Sequence, residues 1–161
     1  MGGDEQITSL ARIAGQVYND PPQFGAADGP ARARLYGDVM AFRGTDDIEA
    51  WLFDLDALVV LTPLGHSHNG FWGAYKTIQA QIETMTPSTI VGHSLGGALA
   101  LIYVGRLCQL GKPPDAVYCF EPPRVCGDGV LKKILSDNGV MCWACRNGLD
   151  PVPEVPTYLQ L

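Results

Sequence analysis

Ser94 stands in the segment VGHSLGGALA, where Gly92, Ser94 and Gly96 form a G-x-S-x-G between two apolar stretches. A serine hydroxyl is a weak nucleophile until a base takes its proton and donors stabilise the oxyanion it generates. A strand that turns sharply into a helix supplies part of this. Small residues at Gly92 and Gly96 let the two backbones approach, and the helix N-terminus directs partial positive charge at Ser94, where the amide of Leu95 can donate. A tight strand-to-helix turn with an incidental serine would read the same in the motif alone; the apolar flanks favour the chemical reading.

Asp150 is a second candidate. It closes a predicted strand, Pro151 and Pro153 impose an extended path after it, and the strand ends of an open α/β sheet are where ligands and catalysis gather. The other reading is a turn-initiating Asp before proline. The histidines are His66, His68 and His93. His93 adjoins Ser94, where neighbouring side chains diverge, so a structural role fits it better than that of a base. Cys108, Cys119, Cys126, Cys142 and Cys145 are an odd number in a chain large enough to fold without staples, so reduced thiols are expected. Cys142 and Cys145 spell C-x-x-C inside GVMCWAC, which reads as a strand; residues three apart there face opposite ways, and neither a shared metal nor an easy disulfide follows. No metal or organic cofactor is called for.

The elements that must hold these residues alternate. Asp4 to Tyr18 has Ile7, Leu10, Ile13, Ala14 and Val17 at helical spacing, stopped by Asn19, Pro21 and Pro22. Phe24 to Arg34 reads as a loop, and YGDVMAF as a strand ending at Arg43 and Gly44. Asp46 to Leu55 reads as a short amphipathic helix, with Asp46 and Glu49 resembling a capping box. ALVVL is a strand, GFWGAYKTIQAQIETM a long helix, STIVGHS a strand, and Leu95 to Leu110 a helix apolar nearly all round. DAVYCFE is a strand, Gly129 to Ser136 a polar helix, and GVMCWACRN a last strand. Strands apolar on both faces and alternating with helices predict an α/β fold: a mostly parallel sheet covered by helices on both faces. With no internal repeat, residues 1–161 are expected to form one domain.

Composition excludes other classes. Of the 161 residues, 47% are hydrophobic and 17% charged, which rules out a disordered tail or a basic nucleic-acid arm. A net charge of −6 repels phosphate backbones and anionic lipid at long range, so any lipid contact would be apolar. No apolar run reaches membrane-spanning length and MGGDEQ lacks the features of a secretory signal, so the chain as given is expected to be soluble. Gln6 stands where a myristoylation pattern wants Ser or Thr.

The segments VMAFRGTDD, IEAWLFDL, HNGFWGAY, GHSLGGALA, FEPPRVCG and RNGLDPVPEVP resemble, in order, the successive blocks of the class 3 lipases, the fungal triacylglycerol lipase group. The resemblance runs from about Val39 to Pro156. It implies an α/β-hydrolase fold and hydrolysis of carboxylic esters through an acyl-enzyme, with Ser94 as nucleophile, Asp150 as triad acid, and Thr45 and the backbone of Leu95 as oxyanion-hole donors. It also makes the helix at about 46–55 a lid, with Trp51, Leu52 and Phe53 the residues to meet an ester or lipid surface. A surface helix fixed permanently on the core has the same periodicity. His68 matches a histidine that buttresses the site in that family.

The family's order is Ser, Asp, His, and no histidine follows Asp150 in this sequence. The chain is then a shortened version of a longer enzyme, a variant that has lost activity, or one that recruits a base from elsewhere. The first reading is favoured, because the sequence stops just past a well-formed acid block. His68 or His66 is a possible substitute base, though nothing in spacing requires either. Loss of the histidine alone from a serine-hydrolase triad costs about 10⁶ in turnover. The rival class is therefore a noncatalytic α/β-hydrolase-fold module that binds an acyl ligand or partner; a peptidase or acyltransferase on the same scaffold is a third. A shortened sheet would also expose apolar surface and favour self-association.

Overall fold

The computed structural model describes residues 3–45 and 58–146. Helix α1 (Gly3–Gln16) opens with Asp4 and Glu5 in its first turn, where carboxylates complement the helix dipole. Strands β1 (Arg32–Tyr36) and β2 (Val39–Arg43) form a hairpin about Gly37, whose φ of 60° suits a residue without a Cβ. Strands β3 (Val59–Thr62) and β4 (Gly65–His68) form a second hairpin. Helices α2 (Asn69–Lys76) and α3 (Gln79–Ile82) lead to β5 (Thr89–His93) and α4 (Leu95–Gln109). Strand β6 (Ala116–Phe120), helix α5 (Val130–Asp137) and strand β7 (Met141–Cys145) follow.

Five strands make the central sheet in the order β1-β2-β5-β6-β7, parallel except for β1. Period-2 alternation divides its side chains between two layers. Ala41, Val91 and Tyr118 face Leu10, Ala14 and Val17 of the α1 region. Met40, Phe42, Ile90, Val117 and Cys119 face the other way, into a core completed by α4 and α2. Helix α4 is buried on nearly every side, with Leu99, Ile102, Tyr103 and Leu107 sealed from solvent, because the sheet, α2 and α5 enclose it. Among the described residues no helix is long and apolar enough to cross a membrane.

Three elements differ from expectation. Residues 32–34, expected as loop, belong to β1, which pairs with β2 from Arg32↔Arg43 to Tyr36↔Val39; the hairpin partner, not local propensity, makes this strand. Strand β3 leaves the main sheet to pair with β4, a GHSH segment too polar to read as a strand. Its buried hydroxyl is satisfied internally, Ser67 Oγ lying 2.9 Å from Thr62 Oγ1. The long helix expected over 70–85 breaks at Thr77 and Ile78. Thr77 Oγ1 donates to the Ala74 carbonyl at 2.7 Å, and Ile78, at φ −117°, turns its side chain into the core. The helix expected at about 46–55 lies outside the described residues.

Strand β7 is an edge among the described residues, with Met141 56% and Trp143 48% exposed.

Candidate active site

Strand β5 ends at His93 and α4 begins at Leu95, so the whole reversal falls on Ser94, at φ 55° and ψ −126°. That is a backbone conformation an L-residue adopts at a cost of about 1–3 kcal/mol, maintained only where the surroundings impose it. They do so here. The Ser94 amide donates to the Phe120 carbonyl at 2.8 Å, and the Ser94 carbonyl accepts from the amides of Gly97 at 2.8 Å and Ala98 at 3.3 Å. A Cβ on Gly92 would collide with the carbonyl of Gly96, and one on Gly96 with the carbonyl of Phe42 in β2. Each glycine of the motif is thus required by a backbone that passes too close for a side chain.

Ser94 is 4% exposed, and among the described residues its Oγ has no hydrogen-bond partner. A buried hydroxyl without a partner costs about 1–3 kcal/mol, so the site keeps a polar group poised instead of satisfying it. Of the first amides of α4, those of Gly97 and Ala98 are taken by the Ser94 carbonyl, which leaves Leu95 and Gly96 at the opening of the helix, where orphan N–H groups and the dipole attract negative charge.

The Arg43-Gly44-Thr45 segment reaches the same place from β2. Phe42 lies opposite Gly92 in the parallel register, and a Cβ on Gly44 would fall 2.8 Å from the His93 carbonyl and against the Tyr18 hydroxyl. The chain therefore passes the elbow one residue before Thr45, which is itself half-buried. Ser94, Leu95 and the Thr45 segment meet at the carboxyl ends of β2 and β5. Asp150, Trp51, Leu52 and Phe53 lie outside the described residues.

The histidines are held by other groups. His93 Nδ1 is 3.0 Å from the Tyr18 hydroxyl, and its Nε2 is 3.6 Å from Glu121 Oε2. His68 is fully buried, caps α2 by accepting from the Gly70 amide through Nδ1 at 3.1 Å, and packs on Phe71. His66 Nδ1 lies 3.0 Å from Asp128 Oδ2. Burial works to raise the Asp128 carboxyl, but the amides of His66 and Val130 and the His66 ring hold it below the usual range. None of the three histidines bonds Ser94 Oγ.

The rim also contains residues the motif did not mark. Glu121, at the end of β6, has φ 52°, a second non-glycine residue in left-handed backbone, and its amide donates to the Cys145 carbonyl at 2.8 Å. Arg43 lies over the Tyr18 ring. Tyr18 is 75 positions from His93, and no spacing rule connects them; only the adjacency of His93 to Ser94 pointed toward this cluster. All five cysteines are free. Burial, with lesser help from Cys142 and Cys145, pushes the Cys119 thiol well up, which keeps it protonated and inert.

Known proteins are similar to this chain in sequence and in fold. The secreted mono- and diacylglycerol lipase A of Penicillium cyclopium is 29% identical over 133 residues, covering 73% of this chain and 42% of its own. The secreted mono- and diacylglycerol lipase 1 of Fusarium solani is 28% identical over 162 residues, covering 91% and 47%. The crystal structure of a lipase from Rhizopus microsporus var. chinensis superposes with a TM-score of 0.73 at 20% identity, over 94% of this chain and 68% of that one. The fold is that of the α/β-hydrolases. This chain spans less than half the length of those curated relatives. Residues 39–160 match the family described as lipase (class 3), and over a stretch that includes the elbow, both flanking strands and helix α4, the chain belongs to the class 3 lipase family.

Proposed function

We propose that this chain carries the nucleophilic half of a carboxylic ester hydrolase of the lipase kind. A base takes the Ser94 proton as Oγ attacks the acyl carbon, the carbonyl oxygen becomes an oxyanion held by Leu95 and Thr45, and collapse expels the alcohol, which receives that proton, to leave an acyl-enzyme that water hydrolyses. Asp150 orients a histidine that this sequence does not contain. The observation that carries the reading is Ser94 held at φ 55° where β5 turns into α4. The relatives named for mono- and diacylglycerols support an acyl ester of glycerol as substrate, with Trp51, Leu52 and Phe53 making transient apolar contact with its surface. Nucleic acid is not a partner on this reading. The edge that β7 forms among the described residues, with Met141 and Trp143 exposed, supports self-association along that strand.

A noncatalytic acyl-binding role has one observation in its favour, that Ser94 Oγ bonds no base among the described residues. Labelling with a fluorophosphonate separates the two. One phosphonyl group per chain, mapped to Ser94 and lost in Ser94→Ala, is expected of a live nucleophile; a folded chain that takes no label is the binding module.

A further inference from the structure

A cavity of about 460 Å³ opens on the α4 face of the sheet, between α4, α5, the segment 123–126 and β7. Its wall is apolar, built by Leu101, Leu131, Leu135 and Val140, and its charged lining residues are Arg124 and Lys132. Among the described residues no carboxylate lines it. In a chain of net charge −6 the Lys132 ammonium places a positive group at this apolar wall. Leu131, Leu135 and Val140 are themselves buried, so the wall is part of the packed core and not a loose surface fold.

The cavity is not an extension of the elbow. Cys142, on its β7 side, lies level with Val117 and through it with Ile90, which precedes Ser94 by four positions, about 13 Å at the rise of a strand, and β7 is two strands across from β5.

We propose that this cavity binds the free carboxylate of a medium- or long-chain fatty acid. The volume lies within the roughly 300–1,000 Å³ of small-molecule sites. The leucine and valine wall removes methylenes from water, and the Lys132 stem can extend along the apolar wall while its ammonium meets the carboxylate at the mouth. A neutral ester or alcohol has no use for that cation; an acid does. The site stands independently of any chemistry at Ser94.

Cys142 is exposed and lines the cavity, which makes it a reporter. In the full 161-residue chain, alkylation of Cys142 by N-ethylmaleimide is followed by peptide mass spectrometry with dodecanoate or dodecan-1-ol present below micelle formation. Saturable protection by dodecanoate is expected, with Cys145, on the opposite face of the strand, unaffected. Lys132→Glu weakens dodecanoate binding about tenfold and leaves dodecanol unchanged. Ser136→Trp, which fills the mouth from α5, removes protection while its circular dichroism matches the parent. Absence of protection, equal protection by the alcohol, or protection that survives both substitutions overturns the proposal.

Discussion

The amide of Ser94 donates to the carbonyl of Phe120 at 2.8 Å, so the residue that leaves β5 is tied to the residue that ends β6. This cross-strand bond holds Ser94 at φ 55° and prevents the turn from relaxing. If the elbow stores strain in this way, Ser94→Gly should relieve it. The melting midpoint is expected to rise by about 2–4 °C, the equivalent of about 1 kcal/mol for a chain of this size, while fluorophosphonate labelling disappears. A glycine variant less stable than the parent would show that the turn carries no strain.

The glycines on either side should behave unequally. Gly92→Ala drives a methyl into the Gly96 carbonyl, and backbone on both sides prevents escape. A loss of roughly 3 kcal/mol or more is expected in urea unfolding. At Gly97 the nearest obstacle is the Pro122 Cβ at 3.0 Å, and alanine's advantage inside a helix offsets part of that contact, so Gly97→Ala should cost about 1 kcal/mol or less. Equal losses at the two positions would contradict the geometry.

Legibility followed the range of the forces. Helix α4 and strand β5 were readable because their apolar content and the Gly92-Ser94-Gly96 spacing are local. The pairing of β3 with β4 was not, since Ser67 and His68 are buried by hydrogen bonds that no hydrophobic period signals. Helices α2 and α3 read as one because Thr77 and Ile78 tolerate a helix, and the core contact of Ile78 decides against it. The sharp turn at Ser94 was legible from the glycines on either side of it. The Tyr18, His93 and Glu121 cluster was not, because a contact between α1 and the end of β5 exists only in three dimensions.

The proposed oxyanion donors and the absent base can be tested together. Imidazole added from solution should accelerate acetylation of Ser94 by p-nitrophenyl acetate, measured as the difference between the parent and Ser94→Ala so that free imidazole catalysis cancels. Thr45→Val keeps the shape and removes the hydroxyl; the difference rate should fall by about 10²-fold. An unchanged rate in Thr45→Val would remove that hydroxyl from the mechanism, and a parent indistinguishable from Ser94→Ala at every imidazole concentration would remove the nucleophile.

Glu83 joins three helices: its Oε1 accepts from the Tyr75 hydroxyl at 2.8 Å, from Gln79 Nε2 at 2.9 Å and from Arg106 Nε at 2.9 Å. Burial works to raise its carboxyl, but the bonds from Arg106, Tyr75 and Gln79 and the Arg106 charge outweigh it and hold it below the ordinary 4.5. Burial and this carboxylate in turn push the Tyr75 hydroxyl far up. A group depressed in the folded state takes up its proton first in the unfolded chain, so its stabilisation is full above the unfolded value and fades as pH falls through 4.5 toward the folded one. Glu83→Gln leaves Arg106 without its carboxylate and should cost about 1–3 kcal/mol at pH 7. In urea midpoints taken from pH 7 downward, the gap between parent and variant should close below about pH 4.5, as the parent's carboxyl is neutralised. Two curves that stay parallel to the lowest pH would mean that the Glu83 carboxyl is not held down by the fold.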